Sequence, residues 1–375
     1  MKEIKRAVYM VLAIIMSVST VCAISTEKIN IDNPIKIDIS GTAQVLFTKS
    51  ELDSIDKQFD FHRARLGIGG KLNDNVSFFT EFEMTGNISP QTAWTAKPDN
   101  RINLPPTPSS SVAAGARYAQ KDMGTDGRLT EGYIELKYFK KLKLIVGQMA
   151  RGSCFELNTP VNQLETIHYS TNVGQFGKYT RGFRIIGSPF SFLKIAVGID
   201  DNAGGITGAI DSSDSKLSAG VKFLIIPWKN HWQIKLCTRR VSETPTSPDG
   251  NCLIGGTIFK YAGFHFMGEI FNLHANPINT GINKEIKGDL TSWFLHASYI
   301  IPGINLQLVT RYNYFEKRLK GRLTNDLKHA SNYNMEILTT GVNWLFSDHA
   351  RLQIMFDRVD GQDNNSIDAQ LEVSF

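Results

Sequence analysis

The chain ends in SIDAQLEVSF, residues 366–375, and this stretch alternates between apolar and polar side chains. Successive side chains of a β-strand point to opposite faces, so the alternation predicts a strand with one apolar and one polar face. The apolar face carries Ile367, Ala369, Leu371, Val373 and Phe375.

The same alternation recurs towards the N-terminus, clearly in 350–358, 290–300 and 231–239. About sixteen segments with strand character follow one another between residues 35 and 375. Their expected ranges are 35–48, 60–72, 76–85, 129–138, 142–149, 180–187, 191–199, 217–226, 231–239, 251–260, 263–272, 290–300, 304–315, 334–345, 350–358 and 366–375.

Short connections follow every even-numbered segment, and longer polar loops follow the odd-numbered ones. This sorting is typical of a transmembrane β-barrel, whose strands alternate between lipid-facing and lumen-facing residues. We therefore predict an all-β fold: an antiparallel barrel of about 16 strands over residues 35–375, with short periplasmic turns and long extracellular loops.

The N-terminal residues 1–23 have the features of a secretory signal peptide. A basic start at Lys2 precedes the apolar run Val8–Met16, and Ala23 offers a small residue for cleavage. Residues 24–34 would then form a short periplasmic segment before a barrel in the outer membrane of a Gram-negative type of cell. The formal net charge of +5 is too small to indicate nucleic-acid binding.

Three cysteines follow the expected signal peptide: Cys154, Cys237 and Cys252. Their odd number and their spacing match no metal motif. A bridge between Cys237 and Cys252 is geometrically conceivable, since they lie on adjacent predicted strands. Three unpaired thiols are the prediction.

Several short motifs occur in order along the chain: FDFHRARLG at 59–67, EFE at 81–83, EGYI at 131–134, GQ at 147–148, RGFRIIG at 181–187, GVNW at 341–344 and QLEVSF at 370–375. Together they resemble the phosphate-selective porin O and P family over nearly the whole expected mature chain. The resemblance implies a sixteen-stranded porin, usually a homotrimer, whose third extracellular loop folds into the lumen. The loop at 150–179 has the place and length for that constriction.

The chain departs from this family at one point that concerns selectivity. The family often carries Lys and then Pro shortly after Gly-Gln, whereas here Gln148 is followed by Met149, Ala150 and Arg151. We therefore predict passive diffusion of small hydrophilic solutes with a weak preference for anions and without strong phosphate binding. The candidate pore-lining or constriction residues are Arg63, Arg65, Glu81, Glu83, Arg151, Arg181, Arg184, Lys194, Lys235 and Arg311.

Opposite charges on neighbouring strands, such as Arg63 and Arg65 with Glu81 and Glu83, are expected to pair along the wall. Rings of charge that remain near a constriction set the permeation preference of a pore. The expected partners are small hydrophilic solutes or anions, outer-membrane lipid and further copies of the chain in a trimer, with no nucleic acid.

Two other functions are compatible with the sequence. One is a structural or adhesion barrel whose long loops bind a partner and whose lumen is blocked. The other is an outer-membrane hydrolase built on His296 and Ser298, which share a face but lack an evident orienting acid and oxyanion hole. We expect no enzyme activity, no cofactor and no metal site, because no histidine has a ligand spacing such as H-x-x-x-H on one element.

Overall fold

The computed structural model describes residues 36–50, 57–84, 128–150, 152–153, 155–159, 163–170, 179–201, 217–229, 231–241, 250–279, 285–321, 332–360 and 365–375. The expected signal peptide and the segment 24–34 lie outside these ranges, as do Arg151 and Cys154.

Sixteen strands form a closed barrel in which each strand pairs with its neighbours in sequence and β1 pairs with β16. All pairs are antiparallel, which confirms the predicted fold class. The strands are β1 (Lys36–Ser50), β2 (Lys57–Lys71), β3 (Val76–Met84), β4 (Arg128–Phe139), β5 (Leu142–Ala150), β6 (Tyr179–Phe190), β7 (Leu193–Asp201), β8 (Leu217–Trp228), β9 (Trp232–Val241), β10 (Gly250–Tyr261), β11 (Phe264–Asn279), β12 (Glu285–Ile301), β13 (Leu306–Gly321), β14 (Asn332–Ser347), β15 (Ala350–Val359) and β16 (Ser366–Ser374).

Each predicted segment overlaps one of these strands. The largest differences occur at the long-loop end, where β11 continues to Asn279, β12 begins at Glu285 and β13 continues to Gly321. The alternating pattern fades in these extensions, but backbone pairing continues. Because the sequence signal depended on alternation, it made these three strands too short at this end.

The tight turns all lie at one end of the barrel, as the sequence predicted. Between β10 and β11 only Ala262 and Gly263 intervene, and both have positive φ angles, 50° and 84°. A two-residue hairpin of this type needs positive φ at both central positions, because the twist of the turn must match that of the strands. None of the helices in the described ranges is long and apolar enough to cross a bilayer.

The two faces of the strands differ, with apolar side chains outside and, apart from one apolar region, mostly polar side chains inside. Ile354 is 41% exposed on the outer face, whereas its neighbour Gln353 is fully buried on the inner face. Several pairings contain register shifts, among them two bulges that interrupt the alternation: His62 is an extra residue in β2, and Thr130 is an extra residue in β4. Both lie buried, although period-two counting would place them with outward-facing neighbours.

Cys237 and Cys252 lie on adjacent strands with their side chains on the inner face. Cys237 pairs in register with Ile254, and Cys252 pairs with Arg239. Both are buried thiols, so the prediction that these two residues do not bridge is confirmed.

Substituting Ile354 with Arg tests the outer face. A lipid-facing Arg near the bilayer midplane is expected to destabilise the barrel by about 2–4 kcal/mol, whereas an inner-face Arg costs much less. Thr42→Arg is the matched inner-face change, because Thr42 borders open space within the barrel. The free energy of unfolding in lipid vesicles, together with heat-resistant migration, measures the difference. Equal losses in the two variants would contradict the face assignment.

Candidate functional site: the barrel interior

A segment between β5 and β6 lies against inner-face side chains of the barrel. We call it the inserted segment, and its described residues are 152–153, 155–159 and 163–170. The backbone N–H of Phe155 donates to Glu269 Oε2 on β11 at 2.6 Å. At its other end His168 Nε2 lies 3.2 Å from Asp368 Oδ2 on β16.

Glu165 is the residue of the inserted segment with the most side-chain contacts to the wall. Its Oε2 lies 2.5 Å from His296 Nε2 and accepts a hydrogen bond of 2.8 Å from Ser298 Oγ. Its Oε1 accepts from Gln307 Nε2 at 2.8 Å. Burial acts to raise the pKa of Glu165, but the imidazoles of His265 and His296 outweigh it and lower this pKa. The carboxylate therefore stays charged against the wall.

This contact also bears on the hydrolase alternative. Glu165 supplies an acid beside His296 and Ser298, but both side chains approach the same carboxylate oxygen. In a catalytic triad the serine would donate to the imidazole, which in turn would donate to the acid. The serine hydroxyl is directed to the carboxylate instead, so these residues do not form the relay that acyl transfer requires.

Arg311, a predicted pore-lining residue, is buried against the inserted segment. Its Nη1 lies 2.9 Å from Glu156 Oε1 and donates to Thr166 Oγ1 at 2.7 Å and to the carbonyl of His168 at 2.9 Å. The other oxygen of Glu156 accepts from the backbone of Ser170 at 2.8 Å. One guanidinium thus connects both ends of the segment to β13.

Part of the inner face is apolar, which differs from the expectation of a polar lumen on nearly every strand. Tyr169 of the inserted segment packs against this region, so the region is covered by protein rather than by water. The apolar cluster comprises Cys237, Cys252, Ile254, Phe271, Leu290, Phe315, Met335 and Val359.

The opposite side of the interior is open. A cavity of about 490 Å³ lies between the inserted segment and the strands from β1 to β6. Its charged lining residues are Arg65, Glu81, Glu131 and Arg184.

The expected charge pairing on β2 and β3 is present. Arg65 lies 3.1 Å from Glu81 Oε1 through Nη1 and 2.5 Å from Glu83 Oε2 through Nη2. Arg63 approaches the same carboxylate of Glu83 at 3.6 Å. Two arginines therefore share two carboxylates, and this part of the wall is close to neutral.

Basic residues gather on the inner face of β5–β9, and we call this group the basic wall. Among the described inner-face residues of these strands Asp200 is the one carboxylate, and Arg239 Nη1 donates to it at 3.0 Å. Two other members hold the start of the inserted segment: Arg184 donates to the carbonyl of Ala150 at 3.1 Å and Lys222 to that of Gly152 at 3.1 Å. The basic wall comprises Lys143, Arg184, Lys194, Lys222, Lys235 and Arg239.

The remaining candidate residues occupy different places. Lys235 is buried, with its ammonium 4.1 Å from the centre of the Phe155 ring. Lys194 is exposed near the short turns, in phase with the inner-face residues of β7. Arg151 lies outside the described residues.

Arg181 does not line the lumen with Arg184. It lies on the outer face, where its side chain is 47% exposed and its Nε donates to Asp201 Oδ2 at 2.8 Å. The physical reason is the strand period, because two residues that are three positions apart on a regular strand point to opposite faces. The expectation for Arg181 was therefore wrong.

Among the described residues, the structure also brings together two groups of side chains that could ligate a metal ion, which sequence spacing did not indicate. One contains Glu165, His265 and His296; the other contains His168, Asp357 and Asp368. In each group one ligand comes from the inserted segment and the others come from the wall. Spacing along a single element cannot predict such a set.

Comparisons with known proteins identify the fold. No family model and no curated protein sequence matches the chain. Among solved structures, the chain is similar to an anion-selective porin from Comamonas acidovorans (TM-score 0.61, 11% identity, 91% of this chain and 100% of the other). It is similar to the outer membrane channel DcaP of Acinetobacter baumannii (TM-score 0.60, 12% identity, 91% and 97%). It is also similar to the trimer form of OmpT, an outer membrane protein of Vibrio cholerae (TM-score 0.58, 11% identity, 92% and 100%). At these identities the likeness shows the shared barrel fold.

Replacing Arg311 with Met tests whether this residue holds the inserted segment. Arg351→Met is the matched control, because Arg351 is also buried and ion-paired, but with Glu372 on the neighbouring wall strand at 3.0 Å. Breaking a buried pair costs about 3–5 kcal/mol in either variant. Amide hydrogen exchange in residues 163–170 should accelerate at least about tenfold in Arg311→Met, equivalent to about 1.4 kcal/mol of local stability. It should change little in Arg351→Met; equal exchange in both would disprove the role of Arg311.

Proposed function

We propose that the protein is an outer-membrane porin that passes small hydrophilic solutes by passive diffusion, with a weak preference for anions. The observation that carries this proposal is the cavity of about 490 Å³ inside a closed barrel, beside the inserted segment. An apolar outer face suits contact with lipid, and a polar inner face suits water and dissolved solutes. The similarity in fold to solved porins supports the same function.

The proposed location is the outer membrane of a Gram-negative type of cell, reached through cleavage of a signal peptide at residues 1–23. Aromatic side chains near the short turns support a membrane boundary at that end. Trp228 and Tyr261 lie 5.7 Å apart, and Phe264 and Tyr299 lie 4.3 Å apart, measured between ring centres. Such rings favour the headgroup layer. The short turns would then be periplasmic.

The inserted segment, within the loop 150–179, would act as the constriction. It contacts the strands from β11 to β16 through Glu269, His296, Arg311, Gln353 and Asp368. It thereby fills that side of the barrel and leaves the path along β1–β6. A segment tied at so many points would keep a nearly constant pore size.

The weak anion preference follows from how the charges are arranged. Arg63 and Arg65 share Glu81 and Glu83, so they contribute little net field. The basic wall on β5–β9 has six cations, of which Arg239 pairs with Asp200 and Lys143 pairs with Glu135 of β4 at 2.7 Å, so cations still outnumber their described carboxylate partners. At physiological salt such fields fade beyond about 8 Å, so the preference depends on cations beside the path. Strong phosphate binding is not expected, because Arg184 and Lys222 already donate to backbone carbonyls.

The alternative of a structural or adhesion barrel draws on one observation, the filling of one side of the lumen by the inserted segment. Conductance of the purified protein in planar bilayers separates the two functions. A porin gives stepwise current in potassium chloride, and a blocked barrel gives none. We also propose a homotrimer, which chemical cross-linking in the membrane would test.

Changing Arg184 to Glu tests the anion preference. Arg184 lines the cavity, so charge reversal there should shift the reversal potential in a potassium chloride gradient towards cation selectivity. Arg181→Glu is the matched control: it makes the same change three residues earlier on β6, on the outer face, and should leave the reversal potential nearly unchanged. A cation-selective wild type, or equal shifts in the two variants, would refute the proposed origin of selectivity.

A further inference from the structure

Two histidines of the wall and one carboxylate of the inserted segment converge at one point inside the barrel. Glu165 Oε2 lies 2.5 Å from His296 Nε2 and 2.8 Å from His265 Nδ1. One potential ligand atom from each residue lies within 4.8 Å of the others. The set therefore combines two imidazoles with one carboxylate, a combination that binds divalent transition metals in proteins.

His265 is the member of this set whose ring nitrogens form no well-aligned hydrogen bond, although its Nδ1 is close enough to Glu165 for an ion pair. Both ring nitrogens are buried, and within the described part of the chain neither meets the geometry of a hydrogen bond. Its Nδ1 is nevertheless close to the carboxylate of Glu165. An imidazole placed beside a carboxylate without a well-aligned N–H is suited to offering a lone pair to a cation.

Neighbouring groups orient the carboxylate as they would in a metal site. Ser298 Oγ donates to Glu165 Oε2 and Gln307 Nε2 donates to Glu165 Oε1, each at 2.8 Å. Gln307 also donates to Ser298 Oγ at 3.1 Å. Hydrogen bonds to a ligating carboxylate fix its position and tune the metal affinity.

We propose that Glu165, His265 and His296 bind one divalent transition-metal ion of the zinc(II) type. Tetrahedral coordination at 2.0–2.2 Å places ligand atoms about 3.3 Å apart. The two carboxylate-to-imidazole distances therefore need to widen by less than about 1 Å. The side chains of Glu165 and His265 are 17% and 14% exposed, so the group is largely buried and the proposed ion would be held mainly by these protein ligands.

A bound ion would connect the inserted segment directly to β11 and β12. His265 lies on β11 and His296 on β12, so one ion would join three parts of the chain that are far apart in sequence. This site does not rest on the proposed porin function, because binding can be measured whether or not the barrel conducts.

The test uses the full-length folded protein in detergent, freed of metal with a chelator. Zinc(II) is titrated by calorimetry, and cobalt(II) is titrated while visible absorption reports the coordination geometry. We expect one equivalent of each ion and the intense absorption of a tetrahedral cobalt site. Failure of both ions to bind at millimolar concentration, or an octahedral cobalt spectrum, would overturn the proposal.

Variants locate the site. His265→Gln should weaken zinc(II) binding by more than about 100-fold, since losing a ligand exceeds the roughly 10–100-fold effect of losing an outer partner. Glu165→Gln provides a second ligand variant of nearly the same shape should His265→Gln fail to fold. Ser298→Ala should weaken binding by about 10–100-fold.

The matched control is His274→Gln. His274 lies on the same strand as His265 and also contacts a carboxylate, with its Nδ1 2.6 Å from Asp289 Oδ1, but it is exposed. This variant should bind zinc(II) like the wild type. His168→Gln should also bind like the wild type, because His168 belongs to the other group of candidate ligands. Loss of binding in either control, or unchanged binding in both His265→Gln and Glu165→Gln, would place the ion elsewhere and refute the site.

Discussion

The pairing of β1 with β16 is the constraint on which the rest of the structure depends. A sheet in hydrocarbon cannot leave the polar groups of an edge strand without partners, so it must close. The ladder runs from Thr42 opposite Ser374 to Ser50 opposite Ser366. Gly41 and Phe375 then exchange two backbone hydrogen bonds of 3.0 Å. A Cβ at position 41 would come within 2.3 Å of the Phe375 ring, so glycine is what allows the last side chain to lie over the seam.

Closure of the barrel directs the inner-face side chains towards one interior. The inserted segment determines which side of that interior is filled and which side stays open. Buried charges are costly unless they are paired, and Glu165 and Arg311 meet this requirement across the boundary between segment and wall. The buried charges of the inserted segment therefore find their partners on the wall, and buried charges of the wall find theirs on the segment. Tyr169 covers the apolar part of the inner face on the same side. The cavity remains on the opposite side, where Arg65 is neutralised within the wall itself.

The sequence predicted what depends on local periodicity and missed what depends on distant partners. Strand positions and faces, such as Gln353 inside and Ile354 outside, follow from a period of two residues. The bulge residue His62 breaks that period. The position of this bulge becomes visible only in the register between β2 and its partner strand β1. The contacts of Glu165 join residues at least 100 positions apart, so no spacing rule reveals them. The error at Arg181 has another origin. Arg181 and Arg184 are three positions apart, so the strand period already placed their side chains on opposite faces.

The basic wall has two tasks in the proposed pore, and they depend on the same atoms. Arg184 and Lys222 hold the carbonyls of Ala150 and Gly152, which fixes where the inserted segment leaves β5. In the proposed pore the charge of Arg184, which lines the cavity, also acts on a passing ion. A hydrogen bond to a carbonyl leaves the charge in place, so a cation can position the segment and still attract anions. The same bonds use donors that tight phosphate binding would need. Weak anion preference and a firmly held constriction are therefore two consequences of one arrangement of cations.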